Sequence, residues 1–212
     1  MYRGFGTMIE IQSKIPRNVV IACSGGVDSM AIVDFLKRNH TVTLQFVHHR
    51  TETSEKAHDF LKSYSYDNNL TLLVDYINPT VPKNVSQEEH WRNERYSVLH
   101  NLSSTVITAH HLDDCVETWI WTSMHGEGRV IPYRNQNVIR PFRMNRKSEF
   151  YSWCNRHSVP FIEDESNSDT RYMRNYIRHE MMPHVLKLNS GIHTVIRKKI
   201  KQECVEATVE CN

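Results

Sequence analysis

The sequence predicts an α/β fold built on a parallel sheet, and three observations carry that prediction. Short apolar runs alternate with helical patterns of roughly 10–15 residues, the signature of repeated right-handed strand–helix–strand crossovers. The first run, Val19-Val20-Ile21-Ala22-Cys23, leads straight into a Gly-containing turn, Ser24-Gly25-Gly26-Val27-Asp28-Ser29, and then into a helical pattern. Three polar clusters, Ser24–Ser29, His48-His49 and His110-His111, each fall at the carboxyl end of a predicted strand. Open α/β sheets bind their ligands at those ends, so one shared pocket is expected.

Taken in order, Val19–Cys23 is a buried parallel strand, and Met30 to Arg38 a helix with Met30, Val33 and Leu36 on one face. Val42, Leu44 and Phe46 alternate and predict a second strand ending near Val47-His48-His49. A helix around Ala57, Phe60, Leu61 and Tyr64 precedes a third strand, Leu70 to Ile77. Ser86-Gln87-Glu88-Glu89 is a capping box that opens a helix through Trp91, Arg95 and Leu99. Thr105 to Ala109 is the fourth strand, followed by a helix from Asp113 to Met124. Gly126 to Pro141, rich in Gly, Pro, Arg and Asn, is expected as an irregular loop over the pocket. Lys147 to His157 is helical, Val159-Pro160-Phe161-Ile162 a short connection, and Thr170 to Met182 a helix stopped by Pro183. Residues 184–212 are weakly patterned, with a basic helix near Ile192–Lys201. The division that follows is an N-terminal segment (1–16), a main domain (17–183) and a basic helical C-terminal extension (184–212).

Composition narrows the class. Hydrophobic residues make up 39 % and charged residues 24 % of the 212, as in a soluble globular protein. No apolar run is long enough for a membrane span, and Met1 to Lys14 has no signal-peptide core, so a cytoplasmic location is expected. The five cysteines (Cys23, Cys115, Cys154, Cys204, Cys211) form no Cys-x-x-Cys pair and suit reduced thiols, with no structural zinc or iron–sulfur site. The thirteen histidines include two His-His pairs but no third ligand at metal spacing, so a zinc site is not expected. Net charge is only +2, yet residues 129–156 carry seven Lys/Arg against one acid and residues 171–201 eight against one. A basic C-terminal half fits a polyanionic partner, and also an ordinary solvated surface.

A strand, a Gly-rich turn and a helix N-terminus together cradle an anion: backbone N–H groups point at it, and the helix dipole adds partial positive charge. A Gly-Lys-Ser/Thr ending is absent, so the turn is not a Walker A loop. In the second segment, His110-His111-Leu112-Asp113-Asp114-Cys115-Val116-Glu117-Thr118, Asp114 and Glu117 at i and i+3 share a helix face. Two carboxylates opposite an anion loop suit either Mg²⁺, which takes one or two carboxylates plus phosphate oxygens, or a substrate ammonium. Acids that merely favour a helix N-terminus are the structural alternative.

Ser24–Ser29, the His-His-x-x-Asp-x-x-Glu-Thr of 110–118, Arg140-Pro141, Glu163-Asp164-Glu165-Ser166-Asn167, and Arg174-Asn175-x-x-Arg178 occur in the order and spacing of the tRNA(Ile)-lysidine synthase family. Glu88-x-x-x-Arg92-x-x-Arg95-Tyr96 resembles the motif that family carries before its fourth strand. The resemblance covers residues 17–190 and implies a Rossmann-like PP-loop domain of the ATP pyrophosphatase type. It implies a ligase that uses ATP to adenylate the C2 position of the wobble cytidine in a CAU-anticodon tRNA(Ile). The ε-amine of L-lysine then displaces AMP to give lysidine. Carried onto this chain, Ser24, Gly25, Gly26, Val27, Asp28 and Ser29 hold the departing pyrophosphate. An acid inside an anion loop is costly without a cation, so Asp28, with Asp114, is the candidate Mg²⁺ pair. Asp114 and Glu117 grip the lysine ammonium, with His110 beside them. Arg92 and the cluster Arg171, Arg174 and Arg178 stabilise phosphate charge or hold tRNA.

Three departures stand out. Cys115 replaces a common Gln, His125-Gly126-Glu127-Gly128 replaces an Arg-Gly-Ser/Thr-Gly loop, and Phe46-Val47-His48-His49-Arg50 lacks the first His and the final Gly of the family's His-x-Asn/His-His-Gly strand end. The chain resembles a short form without the further C-terminal domains of many members, for which weaker, more salt-sensitive tRNA binding is expected. The competing expectations are another PP-loop tRNA-modifying or amide-forming enzyme, and a non-catalytic tRNA-binding relative. Thiolases of the two-thiocytidine type need a Cys-x-x-Cys that is absent here.

Overall fold

In the computed structural model, which describes residues 9–163 and 173–209, the chain crosses one sheet repeatedly in the same direction. Its first half runs β1 (Asn18–Ala22), α1 (Val27–Lys37), β2 (Thr41–His48), α2 (Glu52–Asp67), β3 (Thr71–Tyr76), α3 (Gln87–His100), β4 (Val106–Ile107) and α4 (Leu112–Met124). A hairpin of β5 (Arg134–Asn135) and β6 (Val138–Ile139) leads to α5 (Lys147–His157). The described C-terminal part comprises α6 (Met173–Tyr176), a π-helical turn (Ile177–Met181), α7 (Met182–Leu188) and α8 (Ile192–Val209).

The strand order is β3-β2-β1-β4-β6-β5. All neighbours pair in parallel except β5 with β6. Strand periodicity sorts the core onto the two faces. Val19 and Ile21 pack with Met30, Val33, Leu36 and Phe150 on one side, while Val20 packs with Tyr96, Leu99 and Val106 on the other. A third cluster joins Leu112, Cys115 and Val116 of α4 to Ile177, Met182 and the α8 residues Ile192, Ile196 and Ile200. The C-terminal helices are thereby docked on α4.

Chain order reverses between β1 and β4, the adjacent strands from which successive units wind outward in opposite directions. That is a topological switch point, where a crevice opens beyond the strand ends. The Ser24–Ser29 turn follows β1 and His110-His111 follows β4, so both flank this crevice.

Two expectations need correction. Residues 126–141 are not simply an irregular loop, since they contain β5 and β6, and β6 is the fifth parallel strand. Val138 and Ile139 are buried but too short to show any periodicity. Their two-residue turn places Gln136 at φ 53°, a conformation that hairpin turns usually announce with Gly or Asn. Pro183 does not stop the helix either, which continues to Leu188. A proline clashes with the carbonyl four residues back, here that of His179, and the π turn directly before Pro183 widens the helix at that carbonyl.

Candidate active site

The Ser24–Ser29 turn is shaped by its own hydroxyls. Ser29 Oγ donates to the Gly26 carbonyl (2.9 Å) and accepts from Ser24 N (3.3 Å). Gly26 is the N-cap of α1 and offers no side chain, so the first amide groups of the helix are left for a ligand. Gly25 sits at φ +81°. A Cβ there would lie 3.2 Å from Ile162 and 3.3 Å from Phe60, and the Gly25 carbonyl accepts from Ile162 N at 3.0 Å. Glycine is thus required both by conformation and by close approach.

The facing wall is the start of α4. His111 is its N-cap: the Asp114 carboxylate accepts from His111 N (3.0 Å), and His111 Nδ1 accepts from Asp114 N (3.3 Å). An accepting Nδ1 puts the ring proton on Nε2, which points at Asp28 Oδ2 (3.7 Å) and Asp114 Oδ1 (3.5 Å). His111 therefore ties the anion loop to the carboxylate helix. The sequence marked His110 as a substrate contact, and His111 emerges as the bridging group.

Asp28 is placed as the loop's acid. Burial pushes its pKa up, against the pull of His111 and Lys147. Its Oδ1 is buried and has no hydrogen-bond partner, which leaves an acceptor that could take a cation. Burial also opposes the charge on Asp114, but His111 and Arg174 outweigh it and hold the pKa well below the usual carboxylate range.

Asp114 and Glu117 do share a face, and both are buried. Their partners are the two arginines of the C-terminal helix. Arg178 Nε meets Glu117 Oε1 at 2.7 Å and its Nη2 meets Glu117 Oε2 at 3.0 Å. Arg174 Nη2 meets Asp114 Oδ1 at 2.8 Å and its Nε meets Glu117 Oε2 at 3.1 Å. The spacing i, i+4 delivers both arginines, as expected, but onto carboxylates of the same chain. Arg171 lies outside the described residues, as do Asp164 to Asn167.

His110 is half-buried, accepts or donates at Nδ1 to Thr108 Oγ1 (2.8 Å), and is held neutral because desolvation drives its pKa well below the ordinary value. Arg92 stays exposed on α3, its guanidinium 5.1 Å from the Tyr96 ring. Arg95, three residues further on, is the inward arginine: its charge, opposed by burial, is felt by His110 alongside those of Arg174 and Arg140. Sequence reasoning placed the catalytic arginine at Arg92 and did not single out Arg95. Arg140 is buried and structural, spanning the Pro132 carbonyl (2.8 Å) and the Tyr96 hydroxyl (2.9 Å). Cys115 faces the core beneath α4 rather than the crevice, its thiol pKa pushed up to about 12 by burial.

One grouping had no signal in sequence: ligand atoms of His48, Glu55 and His58 lie within 4.8 Å of one another. However, Arg50 N donates to His48 Nδ1 at 2.9 Å, which leaves the proton on Nε2, 3.4 Å from Glu55. That tautomer presents a donor, not a lone pair, to the cluster. Arg50, standing where the resembling family has Gly, accordingly adopts φ 60°.

The PP-loop domain family matches residues 6–185 of the chain. The tRNA(Ile)-lysidine synthase of Vibrio vulnificus is 30 % identical over 200 residues, 86 % of this chain and 46 % of that protein. Those of Pseudothermotoga lettingae (28 % over 194 residues; 82 % and 43 %) and Lactiplantibacillus plantarum (30 % over 193; 82 % and 43 %) are similar in extent. The chain thus spans about half the length of the curated relatives it matches. Among solved structures, an NH3-dependent NAD synthetase from Campylobacter jejuni shares the fold, with a TM-score of 0.52 at 14 % identity over 92 % of this chain and 89 % of that one. Among the described residues no helix is long and apolar enough to cross a membrane. With its glycine-bearing anion loop at the β1–α1 junction and a match from residue 6 to residue 185, the chain belongs to the ATP-using PP-loop family.

Proposed function

We propose that the protein is a tRNA(Ile)-lysidine synthase, joining L-lysine to C2 of the wobble cytidine of a CAU-anticodon tRNA(Ile) with cleavage of ATP to AMP and pyrophosphate. The observation that carries the reading is the pairing across the β1/β4 crevice of the Ser24–Ser29 loop with Asp114 and Glu117, joined by His111. An anion site and a buried di-carboxylate side by side match a reaction between a nucleotide and an amine. The named relatives, tRNA(Ile)-lysidine synthases, support tRNA(Ile) as the nucleic-acid substrate and favour lysine as the amine. In this reading residues 17–183 form the catalytic domain and 184–212 an extension.

The α1 amides and the Ser24 and Ser29 hydroxyls bind the β- and γ-phosphates, so that the bond between α- and β-phosphorus is the one cleaved. The cytidine C2 oxygen attacks the α-phosphorus and pyrophosphate departs with its electron pair. Asp28, through its unpartnered Oδ1, is the residue that would hold Mg²⁺, with Asp114 as the second candidate; the ion would neutralise phosphate charge. Arg95, whose charge reaches His110 in the crevice, and the exposed Arg92 would supply positive charge to phosphate groups. In the second step the lysine ε-ammonium first loses a proton to solvent, the free ε-nitrogen attacks C2, the C2–oxygen bond breaks, and AMP leaves with the bonding pair. Asp114 and Glu117 orient that lysine, a contribution of positioning rather than of new chemistry. His110, neutral at pH 7, serves as a hydrogen-bonding group beside the base.

The test is incorporation of labelled lysine into a CAU-anticodon tRNA(Ile) transcript, dependent on ATP and Mg²⁺. Binding of that tRNA with no lysine incorporated would leave only a non-catalytic relative; incorporation of a different group would indicate another PP-loop tRNA modification.

A further inference from the structure

We propose that Arg174 and Arg178 gate the amine site: without nucleotide their guanidinium groups occupy Asp114 and Glu117, and a bound triphosphate draws them away, so that the amine binds after ATP. The inference rests on the reading of Asp114 and Glu117 as the amine's carboxylates.

All four carboxylate oxygens are engaged. Glu117 Oε1 takes Arg178 Nε, and Oε2 takes Arg174 Nε and Arg178 Nη2. Asp114 Oδ1 takes Arg174 Nη2 and Arg178 Nη2 (3.3 Å), while Oδ2 takes His111 N. Two anions already hold two cations, and a primary ammonium would add a third positive charge, with three donors aimed at oxygens that each already accept a contact. Lysine therefore competes with two forked, charge-assisted contacts.

The two sides of this cluster differ in how they are held. Asp114 and Glu117 sit on the 13-residue α4, anchored by buried Leu112, Cys115, Val116 and Ile120. Arg174 lies on the four-residue α6 between exposed Met173 and Tyr176, and Arg178 lies within the π turn. The π turn departs from regular α-helical bonding, and the arginines reach the acids through their own long side chains, which can swing without moving the turn. The arginines, not the acids, are thus the part that moves. Their destination is close by: the charge of Arg178 already acts on Asp28 inside the anion loop. Guanidinium forks match phosphate oxygens as well as they match carboxylates, and a bound triphosphate brings several negative charges to that loop. Once the arginines turn to phosphate, Asp114 and Glu117 are left as buried unpaired anions, for which an ammonium is the compensating ligand.

Calorimetric titration of L-lysine into the full 212-residue chain, with and without α,β-methylene-ATP, tests the gate. The analogue is expected to tighten lysine binding by about tenfold or more, and saturating lysine to tighten the analogue by the same factor. Arg178→Gln is expected to bind lysine without nucleotide about as tightly as wild type does with it, abolishing the coupling. Equal lysine affinity in the presence and absence of the analogue, or no binding in either, overturns the gate. Should Arg178→Gln fail to fold, the reciprocal wild-type titrations decide alone. If lysine is incorporated into tRNA but the coupling is absent, only the gate fails; if neither lysine incorporation nor lysine binding is found, the proposed function fails with it.

Discussion

Glu117→Gln tests the four-charge cluster on which the site is built. The substitution keeps the shape of the side chain and removes its charge, leaving three contacts to Arg174 and Arg178 between 2.7 and 3.1 Å without an anionic acceptor. Hydrogen bonds to charged groups are worth about 1.5–3 kcal/mol each, but three on one carboxylate share partners and do not add. The acid is 4 % exposed, whereas the arginine side chains are 36 % and 22 % exposed and rehydrate when released. The cost is therefore below the roughly 3–5 kcal/mol of breaking a fully buried pair, and about 2–3 kcal/mol is expected. Urea denaturation at neutral pH measures it, with a companion fall in Tm of about 5–10 °C. The double variant Glu117→Gln/Arg178→Gln should be less destabilised than the sum of its parts, since the second change removes the stranded cation. Stability of Glu117→Gln within about 0.5 kcal/mol of wild type, or strict additivity in the double variant, would refute the reasoning.

Three further outcomes follow from the same geometry. Asp28→Ala should abolish pyrophosphate release while leaving tRNA binding nearly intact; because it removes a buried carboxylate with an unpartnered oxygen, its Tm should equal or exceed that of wild type, and a large fall would mark Asp28 as a folding residue instead. Gly25→Ala forces a side chain into φ +81° against Ile162 and Phe60, a cost of roughly 1–2 kcal/mol in urea titrations, with a parallel loss of nucleotide affinity; unchanged affinity would remove the loop from the site. Asp34 has its pKa lowered because Arg38, Lys37 and Trp153 outweigh its partial burial, so its contribution is present above the unfolded value near pH 4 and is lost as pH falls through the lower native value. Asp34→Asn should thus cost about 1 kcal/mol at pH 7, its arginine partner being part-exposed, and nothing below that window; a pH-independent difference would assign the effect to packing.

What was legible in the sequence is what local pattern controls. Val19–Cys23 followed by two glycines specified both a buried strand and the conformation of the turn after it, and the His-His-x-x-Asp-x-x-Glu spacing specified a shared helix face. The β5–β6 hairpin was not legible, because two-residue strands carry no period and Gln136 is a rare choice for a left-handed turn position. Pro183 misled because a π turn, which no side-chain pattern marks, absorbs its clash. The partners of Asp114 and Glu117 were missed for a different reason: the arginines are 57 and 61 residues away from Glu117 in the chain, and only the docking of the C-terminal helices on α4 brings them there. Arg92 and Arg95 differ by less than a turn, and which faces inward is set by the packing of α3 through Tyr96 and Leu99.

The proposed reaction requires the Ser24–Ser29 loop to hold ATP so that cleavage falls between the α- and β-phosphates. Incubation with α-labelled ATP, lysine and the CAU-anticodon tRNA(Ile) transcript tests it most directly. Labelled AMP and pyrophosphate in a one-to-one ratio with incorporated lysine is the predicted result; labelled ADP, with inorganic phosphate, would contradict it.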